Sequence, residues 1–187
     1  MLNRMQRVIF IHGNGSGNGN SEWFPYCKRE LEKLGVEVLA PDFPDRPICH
    51  MNIWLPYLEK ELKAAENTIL VGHSTGTVAA MRYAETHKVG GSVLVSAYYT
   101  DLGYEDEKEA GYFDDPWLWE TIKANQPWIV QFASDDDPYI PVEDARFVAD
   151  KLSAEYHEMK GQGHFGEHDS KLEFPELLAV LKQKLGL

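Results

Sequence analysis

The sequence predicts an α/β fold, a parallel sheet covered by helices on both faces. Three observations point there. Strand-like runs recur at residues 7–11, 36–40, 68–71, 92–97, 128–133 and 155–159, separated by segments several of which carry helical periodicity. The central runs are apolar without alternation, as strands buried on both sides are. No hairpin signal joins any two of them, and no internal repeat is present.

Taken in order, residues 7–11 form the first apolar run, which ends in the glycine-rich stretch 12–20. Such a loop lets bare backbone approach a ligand. It is not a phosphate cradle, because no Gly-Lys-Ser/Thr closes it and the alternating Gly13, Gly15, Gly17 and Gly19 do not match a dinucleotide fingerprint. A loop that offers N–H groups to an oxyanion fits better, with a plain surface loop as the alternative. Residues 21–34 read as a helix with Ser21 as N-cap and Gly35 as its stop. The run 36–40 is a second strand. Residues 51–65 read as one helix, with Trp54, Leu55, Leu58 and Leu62 at core spacing. After the run 92–97 the chain makes a long acidic and aromatic excursion, residues 98–125, carrying Trp117 and Trp119. These two tryptophans either wall a substrate pocket or cover the core. Strand 128–133, helix 142–152, strand 155–159, the loop 161–165 and an amphipathic helix over 173–185 complete the chain.

The stretch around Ser74 carries the chemistry. Thr68-Ile69-Leu70-Val71 is a buried strand, Gly72-His73-Ser74-Thr75-Gly76 is a Gly-x-Ser-x-Gly turn, and Ala79, Ala80, Met81 and Ala84 favour helix. A strand running straight into a helix strains its middle residue and lifts it into the open. The helix N-terminus behind it faces any negative charge that forms on a substrate. A bare match to this pattern arises by chance about 0.05 times in a chain of this composition.

Length and composition bound the rest. A chain of 187 residues, 43% of them hydrophobic, is sufficient for one domain with a substantial core, read here as residues 1–187. A net charge of −12 argues against nucleic-acid or anionic-membrane surfaces as partners. The first seven residues are too short and polar for a secretory h-region, and no apolar run approaches the ~20 residues that span a bilayer. Cys27 and Cys49 suggest neither a disulfide framework nor, without Cys/His ligand spacing, a zinc site. A reduced intracellular protein is expected, cytoplasmic or both cytoplasmic and nuclear, with no cofactor and no metal.

A serine that attacks a carbonyl needs a histidine to take its proton, a carboxylate to orient that histidine, and N–H donors for the oxyanion. In doubly wound sheets these gather at the carboxyl ends of strands. Ser74, the run Asp135-Asp136-Asp137, and His164 lie there in the order Ser, Asp, His, with Asp101 a further candidate acid after the preceding strand. His164 sits in the last loop between Gly163 and Phe165, with His168 in reserve. The order and the elbow resemble the α/β-hydrolases. Asp137-Pro138-Tyr139-Ile140-Pro141 is similar to that family's Asp-Pro-x-Val/Ile-Pro segment, and Gly163-His164-Phe165 to its Gly-His-Phe position.

Several segments narrow the likeness, among them residues 53–56, 72–74, 81–87, 94–98, 122–125 and 130–132. They resemble the retinoblastoma-binding protein 9-like serine hydrolases over nearly the whole chain. The resemblance implies a minimal three-layer αβα hydrolase with a six-stranded sheet in the order 2-1-3-4-5-6 and no separate lid domain. It implies a triad of Ser74, Asp137 and His164. The backbone N–H groups of Thr75 and Asn14 are the expected oxyanion donors, any N–H of the Gly13 to Gly15 segment being able to serve as the second, and Trp117, Trp119 and Phe165 are candidate pocket linings. Small acyl or aminoacyl compounds are the implied substrates, whether esters, thioesters or amides. An inactive hydrolase fold serving as an interaction module is the alternative. One departure bears on partners: where the family's Leu-x-Cys-x-Glu motif is associated with retinoblastoma protein, residues 62–66 place Ala64 at the cysteine, which puts that binding in doubt.

Overall fold

The computed structural model describes residues 6–166 and 171–187. Six parallel strands form one sheet in the order β2-β1-β3-β4-β5-β6: β1 (Arg7–Ile11), β2 (Glu37–Leu39), β3 (Thr68–His73), β4 (Gly91–Val95), β5 (Ile129–Ser134) and β6 (Glu155–Met159). The order is the one expected. Among the described residues seven α-helices connect and cover them: α1 (Phe24–Glu32), α2 (Met51–Pro56), α3 (Thr75–Ala84), α4 (Glu105–Ala110), α5 (Trp119–Ala124), α6 (Val142–Leu152) and α7 (Pro175–Leu185).

The period of two along each strand sends its apolar residues alternately to two cores. Ile9, Ile11, Leu70 and Leu94 pack with Trp54, Leu58, Tyr83, Ile122 and Val148, from the side of α2, α3, α5 and α6. Val8, Phe10, Ile69, Val71, Val93 and Phe132 pack with Trp23, Phe24, Leu31, Phe174 and Leu181, from the side of α1 and α7. Each such fully buried side chain contributes about 1.5–3 kcal/mol, so the inner strands hold from both faces. The edges are blunted differently. β2 has three residues, and β6 carries the exposed Glu155 and Glu158 among half-buried positions.

Two helices depart from the expected boundaries. Ser21 does not cap α1, which begins at Phe24 with Pro25 in its first turn; the Ser21 hydroxyl instead accepts the Asn18 N–H at 2.9 Å inside the preceding loop. The helix expected over 51–65 is regular only to Pro56. It continues as a wide π turn, Tyr57–Glu61, and ends where Lys63 takes φ 51°. Proline supplies no N–H to the i−4 ladder, so the chain widens at that point.

Candidate active site

Parallel strands deliver their carboxyl ends to one edge of the sheet, and the expected site residues gather there. Ser74 joins β3 to α3 with φ 54° and ψ −125°, a conformation strained for a residue with a Cβ. The turn fits because its flanks are bare: a Cβ on Gly72 would run into the Gly76 carbonyl, and one on Gly76 into the Ile11 carbonyl. Backbone of β1, β3 and α3 therefore meets at the elbow. Thr75 is the first residue of α3, so its N–H has no intrahelical acceptor.

Asp137 follows β5 and His164 follows β6. His164 Nδ1 lies 2.8 Å from Asp137 Oδ2 and 3.0 Å from Oδ1, with the side chains 11% and 3% exposed. The same carboxylate accepts the Ser96 hydroxyl at 2.8 Å and the N–H groups of Tyr139 and Ile140 at 3.0 and 3.1 Å. Burial opposes its ionisation, but the bond and charge of His164, helped by these donors, outweigh it and hold the carboxyl below its usual range. The neighbouring acids face elsewhere. Asp135 accepts from Gly161 N–H, and Asp136 from Ser134 and Gly163, so both brace the loop that presents His164. Asp101 accepts Gly103 N–H within its own turn. Of the four candidate acids, Asp137 is the one brought to His164, while His168 lies outside the described residues.

Ser74 and His164 border the same cavity, of about 390 Å³, without a direct hydrogen bond between them. Such contacts are often long before substrate binds and tighten in the complex. Two other imidazoles support the site. His73 donates from Nε2 to the His164 carbonyl at 2.8 Å, and its ring lies 4.9 Å from that of His164. Burial, then the neighbouring His164, lowers its pKa to about 3. His12 donates from Nδ1 to the Gly13 carbonyl at 2.7 Å and accepts the Phe43 N–H on Nε2 at 3.0 Å. Burial lowers its pKa as well.

The glycine loop after β1 forms one wall of the cavity through residues 13–17, and a Cβ on Gly13 would touch that of Ser74 at 3.1 Å. The excursion after β4 forms another, but not through the expected tryptophans. Trp117 and Trp119 stack on each other at 5.2 Å and pack on the core, with the Arg82 guanidinium 3.8 Å over Trp117. Phe165 is buried on the opposite side of the sheet, stacked on Phe174 at 5.3 Å. Tyr98, Leu102, Tyr104, Asp106 and Glu107 line the cavity instead, with Tyr139 and Ile140 across from them. The residues nearest the strand end make the wall, and the later aromatics fold back over α3. Glu107 was not anticipated. It stands among the acidic residues of the 98–125 excursion, where only its spacing of three from Ala110 hints that it turns inward.

A six-stranded parallel sheet with a strand–serine–helix elbow at its carboxyl edge defines an α/β-hydrolase. The chain belongs to the serine hydrolase family, whose pattern matches residues 8–183. It is 45% identical over 181 residues to the serine hydrolase RBBP9 of Rattus norvegicus, covering 96% of this chain and 95% of that protein. It is also 30% identical over 184 residues to YdeN of Bacillus subtilis, covering 94% of each. The crystal structure of the B. subtilis ydeN product superposes with a TM-score of 0.88 over 97% of this chain and 100% of that one, at 26% identity. The protein is thus an enzyme of the serine hydrolase class. No helix among the described residues is long and apolar enough to cross a membrane.

Proposed function

We propose that the enzyme cleaves small acyl compounds through an acyl-enzyme on Ser74, and that substrates bearing a free amine next to the acyl carbon are preferred. Ser74 Oγ attacks the carbonyl carbon as His164 Nε2 takes its proton, and Asp137 holds the imidazole with Nδ1 protonated. The N–H groups of Thr75 and Asn14 receive the oxyanion, and the helix dipole of α3 reinforces them. His164 then protonates the leaving alcohol, thiol or amine, and a water activated by the same imidazole releases the acid. The observation that carries this reading is the buried Asp137–His164 pair across one cavity from an elbow serine.

The amine preference draws support from the lining. Glu22, Asp106 and Glu107 border the cavity, and no lysine or arginine among the described residues does. Such a field favours an ammonium group. Binding of a retinoblastoma-type partner through residues 62–66 is not part of the proposal, since Ala64 is 8% exposed and its carbonyl accepts the Tyr83 hydroxyl at 2.8 Å. A reducing, cytoplasmic setting accompanies it, supported by Cys27 and Cys49 as buried free thiols.

Two assays test the reading. A fluorophosphonate should label the wild type but not Ser74→Ala, and a label that persists in the variant overturns Ser74 as nucleophile. In a panel of p-nitrophenyl esters, acyl thioesters and aminoacyl amides, unblocked aminoacyl compounds should turn over faster than their N-acetylated forms. Equal rates overturn the amine preference and leave the acyl-enzyme standing.

A further inference from the structure

Glu107 is a buried ionisable group that the acyl-enzyme steps leave without a task. It projects from α4 into the cavity wall and is 5% exposed. Its Oε1 accepts from Asn14 Nδ2 at 2.8 Å and from Thr75 Oγ1 at 3.2 Å, and Thr75 Oγ1 in turn accepts the Tyr98 hydroxyl at 3.2 Å. Its Oε2 has no hydrogen-bond partner among the described residues. Burial raises the pKa of this carboxyl against the opposing bonds from Thr75 and Asn14. An apolar side chain of similar volume would wall the cavity without that penalty.

Asn14 and Thr75 are the two residues to which the oxyanion donors were assigned above. They arrive on separate pieces of backbone, one in the loop after β1 and the other at the start of α3. Stabilisation of an oxyanion requires both donors to be aimed in advance at one point. Resting on that assignment, we propose that Glu107 is a positioning residue of the oxyanion hole, in which one carboxylate oxygen holds the side chains of both donor residues and so sets the separation and aim of their N–H groups.

The test compares wild type, Glu107→Ala, Glu107→Gln, Asn14→Ala and the Glu107→Ala/Asn14→Ala double variant, all as full chains. The readouts are kcat and KM on a p-nitrophenyl ester and the affinity of a trifluoromethyl ketone, which forms a tetrahedral adduct. Loss of one oxyanion donor lowers kcat about 10²–10³-fold, so a donor merely released from its tether should cost about 10–100-fold. Glu107→Ala should show that loss in kcat and in ketone affinity, with KM within about threefold of wild type. Asn14→Ala keeps its backbone N–H yet should lose rate to a similar degree, and the double variant should lose no more than the worse single one. A glutamine carbonyl can accept both bonds, so Glu107→Gln should recover to within about threefold of wild type.

Wild-type kcat in Glu107→Ala or in Asn14→Ala overturns the proposal. So do multiplicative losses in the double variant, or a loss in Glu107→Gln as large as in Glu107→Ala. If Glu107→Ala does not fold, Glu107→Gln and Asn14→Ala still decide. Fluorophosphonate labelling separates the two levels: an unlabelled wild type sinks the Ser74 chemistry, whereas a labelled wild type with unimpaired Asn14→Ala sinks the tether alone.

Discussion

Replacing Asp137 by asparagine tests the proposed triad at its most constrained point. The carboxylate accepts from four groups: His164 Nδ1, the Ser96 hydroxyl, and the N–H groups of Tyr139 and Ile140. Asparagine has one acceptor oxygen and one donor amide. Both backbone N–H groups point at Oδ1 and cannot reorient, so the asparagine oxygen should settle there. Its NH₂ then faces Ser96 Oγ and His164 Nδ1. The hydroxyl can rotate to accept, and an NH₂ group facing Nδ1 favours the imidazole tautomer that carries its proton on Nε2, where it cannot accept the serine proton. A wrong tautomer of this kind lowers kcat by about 10³–10⁴, equivalent to roughly 4–5.5 kcal/mol of barrier. The assay is kcat on a p-nitrophenyl ester, with thermal unfolding run beside it to show that the fold persists. A rate within tenfold of wild type, or an equal loss from Asp101→Asn, would falsify the assignment.

Three further perturbations follow from the same geometry. Gly72→Ala drives a Cβ into the Gly76 carbonyl and should cost more than about 2 kcal/mol in urea unfolding; a change under about 0.5 kcal/mol would show that the elbow has slack. His73 stays neutral in the fold down to about pH 3, while an unfolded histidine protonates near 6.5, so the unfolded state binds the extra proton between these values. Stability should therefore fall as pH drops through that window, by about 2 kcal/mol at pH 5, and His73→Gln should flatten this dependence. An unchanged pH profile in the variant would refute it. Arg82, 4% exposed, binds the carbonyls of Tyr112, Asp115 and Pro116 and the carboxylate of Glu85. Arg82→Ala should cost about 3–5 kcal/mol and open residues 111–118 to proteolysis, and intact resistance there would count against its anchoring role.

The fold was legible because the inner strands are apolar on both faces, which few alternatives to a covered parallel sheet explain. Ser74 was legible because its constraint is local, written in Gly72 and Gly76 as the only side chains the turn admits. The pocket was not. Trp117 and Trp119 sit in the segment that borders the cavity, but Arg82 draws Trp117 onto the outer side of α3, a long-range contact that no local pattern encodes. Phe165 adjoins His164 in sequence and faces the opposite core, with its φ of 58° turning the chain between them. Glu107 escaped notice because five neighbouring charged residues look alike until one of them is buried.

The imidazoles around the elbow carry a consequence for proton traffic. His12 has both ring nitrogens committed to backbone, and His73 is held neutral by burial against the loop of His164. Of these three rings, His164 is the one whose Nδ1 meets a carboxylate, and its Nε2 makes no hydrogen bond to a described residue. Burial thus lowers the pKa of two of the three rings. In the mechanism proposed above, a proton leaving Ser74 therefore goes to His164, and the same ring must surrender it before a second turnover can begin.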